Sequence, residues 1–270
     1  MKITIFGSSG YIGSALVAFL NDSDINPICV DRENWDDIVE SGNDLGVVVW
    51  CVGKNGNFRS DISGTIQTHI SQLTAVLDKI NYSHFIYLSS TRVYQHSDHT
   101  KPENPLLVDL KNFDDIYNAS KIIAEMLVLN KTNGRCSILR LSNVIGYHQK
   151  NDNSVLNSLI TMAAEGNIRL NCHPDSSKDY IYIKDTIDLI IPFIKKNFLG
   201  TFNIGSGANI SLAAWIDQLK MYFDFQLTFP ADADPVCFPE IDISDTTIHT
   251  GITAESPLSY ISELFKIKRK

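Results

Sequence analysis

Lys2-Ile3-Thr4-Ile5-Phe6-Gly7-Ser8-Ser9-Gly10-Tyr11-Ile12-Gly13 is the stretch on which the fold turns. A short β-branched apolar run reads as a buried strand. It passes through three glycines spaced G-x-x-G-x-x-G into Tyr11 to Leu20, where apolar residues recur at helical spacing. Glycine suits such a turn because a Cβ would obstruct the tight bend, the approach of a pyrophosphate, or the packing of helix on strand. The N–H groups at the helix start, with the positive end of its dipole, then attract phosphate. Gly7, Ser9, Gly10, Tyr11, Ile12 and Gly13 are therefore candidate contacts to a dinucleotide. The spacing differs from the commonest G-x-G-x-x-G fingerprint, so the flanking strand and helix carry the reading.

Outward from this turn, strand candidates at Lys2 to Phe6, Pro27 to Val30, Gly46 to Val52, His84 to Ser89 and Cys136 to Leu141 alternate with helix candidates. The helices are expected at Tyr11 to Leu20, Trp35 to Glu40, Thr65 to Ile80 and Asp115 to Asn130. Strict alternation predicts an α/β fold, a doubly wound, mostly parallel sheet of Rossmann type. The stretch between Asp31 and Gly46 has room for one short helix, so an extra strand often found there is expected to be missing. After Gly146 the rhythm loosens into helices near Ser154 to Glu165, Asp185 to Lys195, Ser211 to Phe223 and Leu258 to Phe265, with a strand near Tyr180 to Ile183. The expected organisation is a dinucleotide-binding domain over 1–145, rejoined by 184–204, and a small C-terminal substrate-binding lobe from 146–183 and 205–270.

Asp31 closes the second strand, where a carboxylate can accept from an adenosine ribose and repel a 2′-phosphate. That favours NAD. Arg32, the next residue, could pair with the 2′-phosphate of NADP, so the choice stays open.

With 270 residues, 44% of them hydrophobic, the chain can bury one large domain and an appendage. Acidic residues exceed basic ones by 31 to 23, for a formal charge of −8, which argues against a nucleic-acid partner. The basic run Lys266-Ile267-Lys268-Arg269-Lys270 reads as a solvated tail. Five scattered cysteines without a C-x-x-C pair or a zinc-type histidine pattern imply no metal, and read as buried hydrophobes in a reducing compartment. Met1-Lys2 runs straight into the first strand, and no apolar run reaches membrane-spanning length. A cytoplasmic protein with no membrane partner is the expectation.

Tyr117-Asn118-Ala119-Ser120-Lys121 opens a helix, so Tyr117 and Lys121 project from one face. A tyrosine next to an ammonium is what proton transfer to or from a sugar hydroxyl calls for. Ionising a phenol near neutrality requires about 3 pKa units, about 4 kcal/mol, and burial alone pushes the other way. A neighbouring ammonium supplies the field. Upstream, the apolar run from His84 ends in Ser89-Ser90-Thr91, placing hydroxyls where they could bond the same substrate oxygen.

Together these residues resemble the extended short-chain dehydrogenase/reductase family, in its nucleotide-sugar epimerase, dehydratase and reductase branch. Gly7, Gly10 and Gly13 match its glycine turn, Ser89 to Tyr94 its Ser-Ser-x-x-Val-Tyr segment, and Tyr117 with Lys121 its Y-x-x-x-K. Arg140 to Gly146 is similar to R-x-x-N-x-x-G, Lys178 to Asp185 to R-D-[FY]-[IV]-H-V-x-D, and Phe202 to Gly207 to N-[IV]-G-[ST]-G. The resemblance implies Ser90, Tyr117 and Lys121 as catalytic residues, cofactor contacts at Gly53 and Lys54, and substrate contacts at Thr91, Asn143, Lys178 and Tyr180. It also implies a homodimer through the helices near Thr65 to Ile80 and Asp115 to Asn130. Departures are informative. Thr91-Arg92 stand where dehydratases of the family place an Asp-Glu pair, Lys178 replaces an arginine, and His69 occupies the region of a usual asparagine. The expected activity is reduction of a 4-keto-6-deoxy nucleotide sugar, with 4-epimerisation as the alternative. A dinucleotide-sensing regulatory protein without catalysis is the alternative of another class.

Overall fold

Parallel pairing of short apolar strands organises the molecule, seen in a computed structural model that describes residues 1–54, 58–146 and 155–266. The elements of the first half are β1 (Ile3–Phe6), α1 (Tyr11–Asp22), β2 (Ile28–Val30), α2 (Trp35–Val39), β3 (Val47–Trp50), α3 (Ile62–Ile66), α4 (Gln72–Leu77), β4 (His84–Ser90), α5 (Asp115–Lys131) and β5 (Cys136–Leu141). Then follow β6 (Asn143–Ile145), α6 (Val155–Ala164), β7 (Asn167–Arg169), β8 (Ser177–Tyr182), α7 (Ile183–Lys196) and β9 (Gly200–Ile204). The chain finishes with β10 (Asn209–Ser211), α8 (Leu212–Leu219), β11 (Gln226–Thr228), α9 (Ser244–Thr250) and α10 (Ile261–Lys266).

The central sheet has six strands in the order β2-β1-β3-β4-β5-β9, all parallel. Only α2 bridges β2 and β3, so β2 is the margin and the extra strand is absent, as the short sequence interval foretold. Every residue of β1, β3 and β5 is buried. Such strands read as continuous apolar runs because helices cover both faces. On one face Trp50 is fully buried, with its ring 5.2 Å from Phe6, 5.6 Å from Trp35 and 6.2 Å from Phe85. The other face carries the larger cluster, in which Leu16 and Leu20 of α1 and Ile187, Ile190 and Ile194 of α7 pack with Ile5, Val49 and Leu139.

Beyond the sheet lie a three-stranded sheet, β10-β8-β6, and the parallel pair β11-β7. Their three-residue strands were too short to show a period. The helix foreseen over Thr65 to Ile80 is broken by a π-helical turn, Gln67–Ser71. The segment foreseen as helical from Leu258 begins as a 3-10 turn over Pro257–Tyr260. The helix foreseen over Ser211 to Phe223 is α8, with the Ser211 hydroxyl capping it by accepting from the Ala214 N–H. The start of the helix expected at Ser154 and the basic tail beyond Lys266 lie outside the described residues. The cysteine expectation needs correction: all five are free thiols, but Cys136 alone is fully buried and Cys237 is exposed. Cys29 lies on the edge strand β2, and Cys51, Cys172 and Cys237 lie outside the named strands and helices, where a side chain is not enclosed on every side.

Candidate active site

Parallel strands send all their connections out at the same ends, so the turns after β1, β3, β4 and β5 converge on one side of the sheet. Gly7 leaves β1 with φ +77, donating its N–H to the Val30 carbonyl at 2.9 Å. A Cβ on Gly13 would stand 2.2 Å from the Gly7 carbonyl oxygen. The glycine spacing is therefore a contact requirement between helix and turn. Helix α1 has no side-chain N-cap and no acidic residue in its first turn, and Ser9 and Gly10 are exposed in front of it. An uncapped, uncharged helix start of this kind fits a pyrophosphate. Tyr11 donates from its hydroxyl to the Gly146 carbonyl at 2.8 Å, joining the turn to the end of β6; Ile12 is half-buried against the core.

At the end of β2, one carboxylate oxygen of half-buried Asp31 accepts from the Glu33 N–H at 2.9 Å, and Arg32 is exposed. Both stand on the same side of the sheet as the glycine turn, one strand away.

Ser90 is the last residue of β4. Its extended backbone gives way to a 3-10 turn, Thr91–Tyr94, and its hydroxyl accepts from the Arg92 N–H at 3.2 Å. Tyr117 stands in the first turn of α5, near enough to Ser90 for the serine side chain to act on its phenol. The Tyr117 ring lies 5.2 Å from Phe58 and 5.4 Å from His69. Burial pushes the phenol above its ordinary value, opposed by the Ser90 hydrogen bond and the Arg92 charge, both of which lower it. One turn on, Lys121 is buried and donates from Nζ to the Leu88 carbonyl at 3.1 Å and to the Tyr87 hydroxyl at 3.3 Å. Its pKa is pushed down to about 8 by burial, with Glu125 pulling the other way. Lys121 faces the β4 backbone, and the groups acting on the phenol are Ser90 and Arg92.

His69 sits in the π-helical turn, 1% exposed. Burial, and then the Lys121 charge, push its pKa down to about 3, so the ring is neutral. Nε2 accepts from the Lys54 N–H at 3.1 Å, which leaves the proton on Nδ1 to donate to Ser120 Oγ at 2.8 Å. Ser120 in turn donates to the Tyr117 carbonyl at 2.7 Å. The extra residue of a π turn aims one side chain out of helical register, and here it ties the loop after β3 to the tyrosine's own backbone. Gly53 borders the pair: a Cβ there would lie 3.7 Å from Lys121 Nζ. Lys54 turns its ammonium to Asp61.

Behind the tyrosine and lysine, Arg140 and Glu125 form an ion pair of 2.6 Å, with both side chains 5% exposed. Ser89 donates to Glu125, Arg140 donates to the Tyr94 hydroxyl at 2.6 Å, and Tyr94 donates to Asn203 Oδ1 at 2.9 Å. This network fastens α5 to β4, β5 and β9 in one register.

Of the expected substrate contacts, Thr91 is buried beside Ser90, and Asn143 is exposed with its amide donating to the Asp179 carbonyl at 2.9 Å. Tyr180 is a core residue, 2% exposed with its ring 5.5 Å from Trp215. It meets the cleft through Lys178, whose ammonium lies 5.5 Å from the Tyr180 ring centre. Sequence reasoning overlooked Phe58, Arg59, Asp114 and Phe238, which frame Arg92. Arg92 donates to Asp114 at 2.9 Å, Arg59 shares that carboxylate, and Phe58 lies 4.7 Å from the Arg59 guanidinium and 5.5 Å from that of Arg92. No periodic or motif signal marks them, because they come from three separate connections.

Among the described residues no cluster of histidine, cysteine, aspartate or glutamate could hold a metal ion, and no helix is long and apolar enough to cross a membrane. The model of the NAD dependent epimerase/dehydratase family matches residues 3–205. No curated protein matches the chain. Among solved structures, MoeE5 in complex with UDP-glucose and NAD is similar at a TM-score of 0.85 and 16% identity, over 100% of this chain and 99% of that one. The UDP-N-acetylglucosamine 4-epimerase from Bacillus cereus gives 0.80 and 21%, over 100% and 96%. RMD from Pseudomonas aeruginosa complexed with NADPH gives 0.74 and 19%, over 95% and 94%. At these identities the likeness is one of fold.

Proposed function

Because the chain belongs to the NAD dependent epimerase/dehydratase family of enzymes, we propose that it moves a hydride and a proton at one ring carbon, C4, of a nucleotide-activated sugar. The observation that carries this is the placing of Ser90 at the open end of β4 beside the first turn of α5, where Tyr117 stands one helical turn before Lys121. The residues fit a nicotinamide dinucleotide. Gly7 to Gly13 offers bare N–H groups for its pyrophosphate, Asp31 and Arg32 stand where its adenosine ribose would lie, and Gly53 beside Lys121 would border its nicotinamide ribose. Asp31 favours NAD and Arg32 keeps NADP open; similar folds carry NAD or NADPH. When bound, the nicotinamide supplies or accepts the hydride. Tyr117 then gives its phenolic proton to the C4 oxygen or takes it back, and Ser90 holds that oxygen by a hydrogen bond. Lys121 fixes the ribose, while Asn143 and Lys178 meet the nucleotide-sugar phosphates and Thr91 the sugar ring.

The first overall reaction is reduction of a 4-keto nucleotide sugar. It is supported by the raised pKa of Tyr117, which keeps the phenol in the protonated form that a reduction consumes, and by Thr91 and Arg92 in place of acids that remove water. The second is 4-epimerisation. It is favoured by Arg92, because a 6-deoxy sugar would set a methyl group against that guanidinium. Mixing the protein with a 4-keto-6-deoxy nucleotide sugar and reduced cofactor separates the two. Stoichiometric loss of reduced-nicotinamide absorbance supports reduction. No net consumption there, together with retained cofactor and interconversion of the C4 epimers of a 4-hydroxy nucleotide sugar, supports epimerisation. No turnover by either route, with cofactor bound, would leave the sensor reading.

We read residues 1–145 with 184–204 as the cofactor half and 146–183 with 205–270 as the substrate half. A homodimer is supported by the apolar stripe of α5, where Ile123 and Met126 are 43% and 57% exposed, beside Ile66 of α3 at 42%.

A further inference from the structure

The protein carries an acidic excess of eight charges, yet the wall of this cleft is cationic. Arg59, Arg92 and Lys178 are close enough that both guanidiniums lower the pKa of Lys178, which burial first and their charge second bring to about 8. Asp114 is shared between the two arginines. Among the described residues no carboxylate is in ion-pair range of Lys178. Three cations thus face one anion. Arg92 is the most constrained of the three. Its guanidinium lies 5.5 Å from the Phe58 ring and 5.9 Å from the Phe238 ring, one from each half of the cleft, and its Nε is buried without a hydrogen-bond partner. Aromatic faces hold a guanidinium in a fixed plane without neutralising it, leaving its outer donors for a planar anion.

Position decides which anion. Arg92 is two residues from Ser90, bonds to its hydroxyl through the backbone, and its charge reaches the Tyr117 phenol; Lys178 is not among the groups acting on that phenol. The sugar oxygen under reaction sits at Ser90 and Tyr117. In a pyranose C4 is flanked by C3, which bears a hydroxyl, and by C5, which bears the C6 group, whereas the nucleotide phosphates hang from C1 across the ring. Of the two substituents within reach of a guanidinium beside the reacting oxygen, C6 is the one that can carry an anion.

We propose that Arg92, supported by Arg59, recognises a carboxylate at C6, so that the substrate is a nucleotide-activated uronic acid rather than a neutral or 6-deoxy sugar. This rests on the nucleotide-sugar reading of the site and narrows it. Arg92 is the specificity residue, and Asp114 positions it while leaving one of its edges open.

The test compares UDP-glucuronic acid with UDP-glucose, by calorimetric titration into the full chain saturated with NAD. Wild type should bind the uronate about tenfold more tightly, the selectivity of one charge-assisted pair. Arg92→Met should erase that preference and leave UDP-glucose affinity within about threefold. Arg59→Ala, at an exposed side chain, should reduce the preference in a chain whose fold is not at risk. Equal binding of the two sugars by wild type overturns the proposal and spares the nucleotide-sugar reading. Equal weakening of both by Arg92→Met also overturns it, by assigning the arginine to the phosphates. Binding of neither, with NAD bound normally, overturns the nucleotide-sugar reading itself.

Discussion

Tyr117→Phe removes one oxygen and leaves the ring between Phe58 and His69, so it isolates the proton transfer from the packing. We expect kcat to fall by about 10²- to 10⁴-fold, with the cofactor dissociation constant unchanged in a fluorescence titration; loss of both together would mean that the phenol serves binding. Lys121 makes a separate prediction about pH. Its folded pKa is about 8 against the ordinary lysine value of 10.5, so between these values the unfolded chain holds the proton and the folded one does not. The unfolded state binds more protons in that window, and stability therefore rises as pH climbs from about 8 towards 10.5, by at most about 1.4 kcal/mol per pH unit for one group. Lys178, also brought to about 8, adds a similar rise, so melting curves of cofactor-free protein should show a rise that Lys121→Met reduces to the part owed to Lys178. The residue scale is also where sequence reading was sharpest and most misleading at once. The spacing of Tyr117 and Lys121 follows from helical periodicity, so their shared face was legible. The direction of the ammonium was not, because Leu88 and Tyr87 are more than thirty positions away in sequence.

A helix over Thr65 to Ile80 was legible from its apolar period, but its earlier start at Ile62 and the π turn inside it were not. A single extra residue leaves no periodic trace, and its cause lies in tertiary contacts, with Lys54 on one side of His69 and Ser120 on the other. His69→Ala would break both links and leave the Lys54 N–H without its acceptor. The expected cost is about 1–3 kcal/mol, read as a lower denaturant midpoint with an unchanged slope. Activity should fall further than stability, since the Ser120 bond to the Tyr117 carbonyl loses its support; restored activity in His69→Asn would identify hydrogen bonding as the role. The parallel strands were legible because burial on both faces makes them continuously apolar. The short strands β6, β7, β10 and β11 are held by partners remote in sequence and carry no such signature. The Arg140–Glu125 pair is of the same kind: each residue alone looks like surface charge, and only the meeting of β5 and α5 explains their burial.

For the molecule as a whole, the apolar stripe on α5 predicts self-association through that face. Ile123→Glu should convert a dimer to a monomer in light scattering while leaving the melting temperature of the isolated subunit nearly intact, because the side chain is already exposed. The order of the central sheet also has a bearing on how the protein fails. One margin, β2, is three residues long and is preceded by Pro27, too short a ledge for a foreign strand to settle on. The opposite margin, β9, lies under α9, whose Thr246 hydroxyl donates to the Asn203 carbonyl, while the Asn203 amide donates to Asp242 and Thr100. Residues 241–250 therefore act as a selvedge on woven cloth. Trimming the chain before Ile241 should bare β9, and the damage should appear as thioflavin-positive fibres growing from otherwise folded protein.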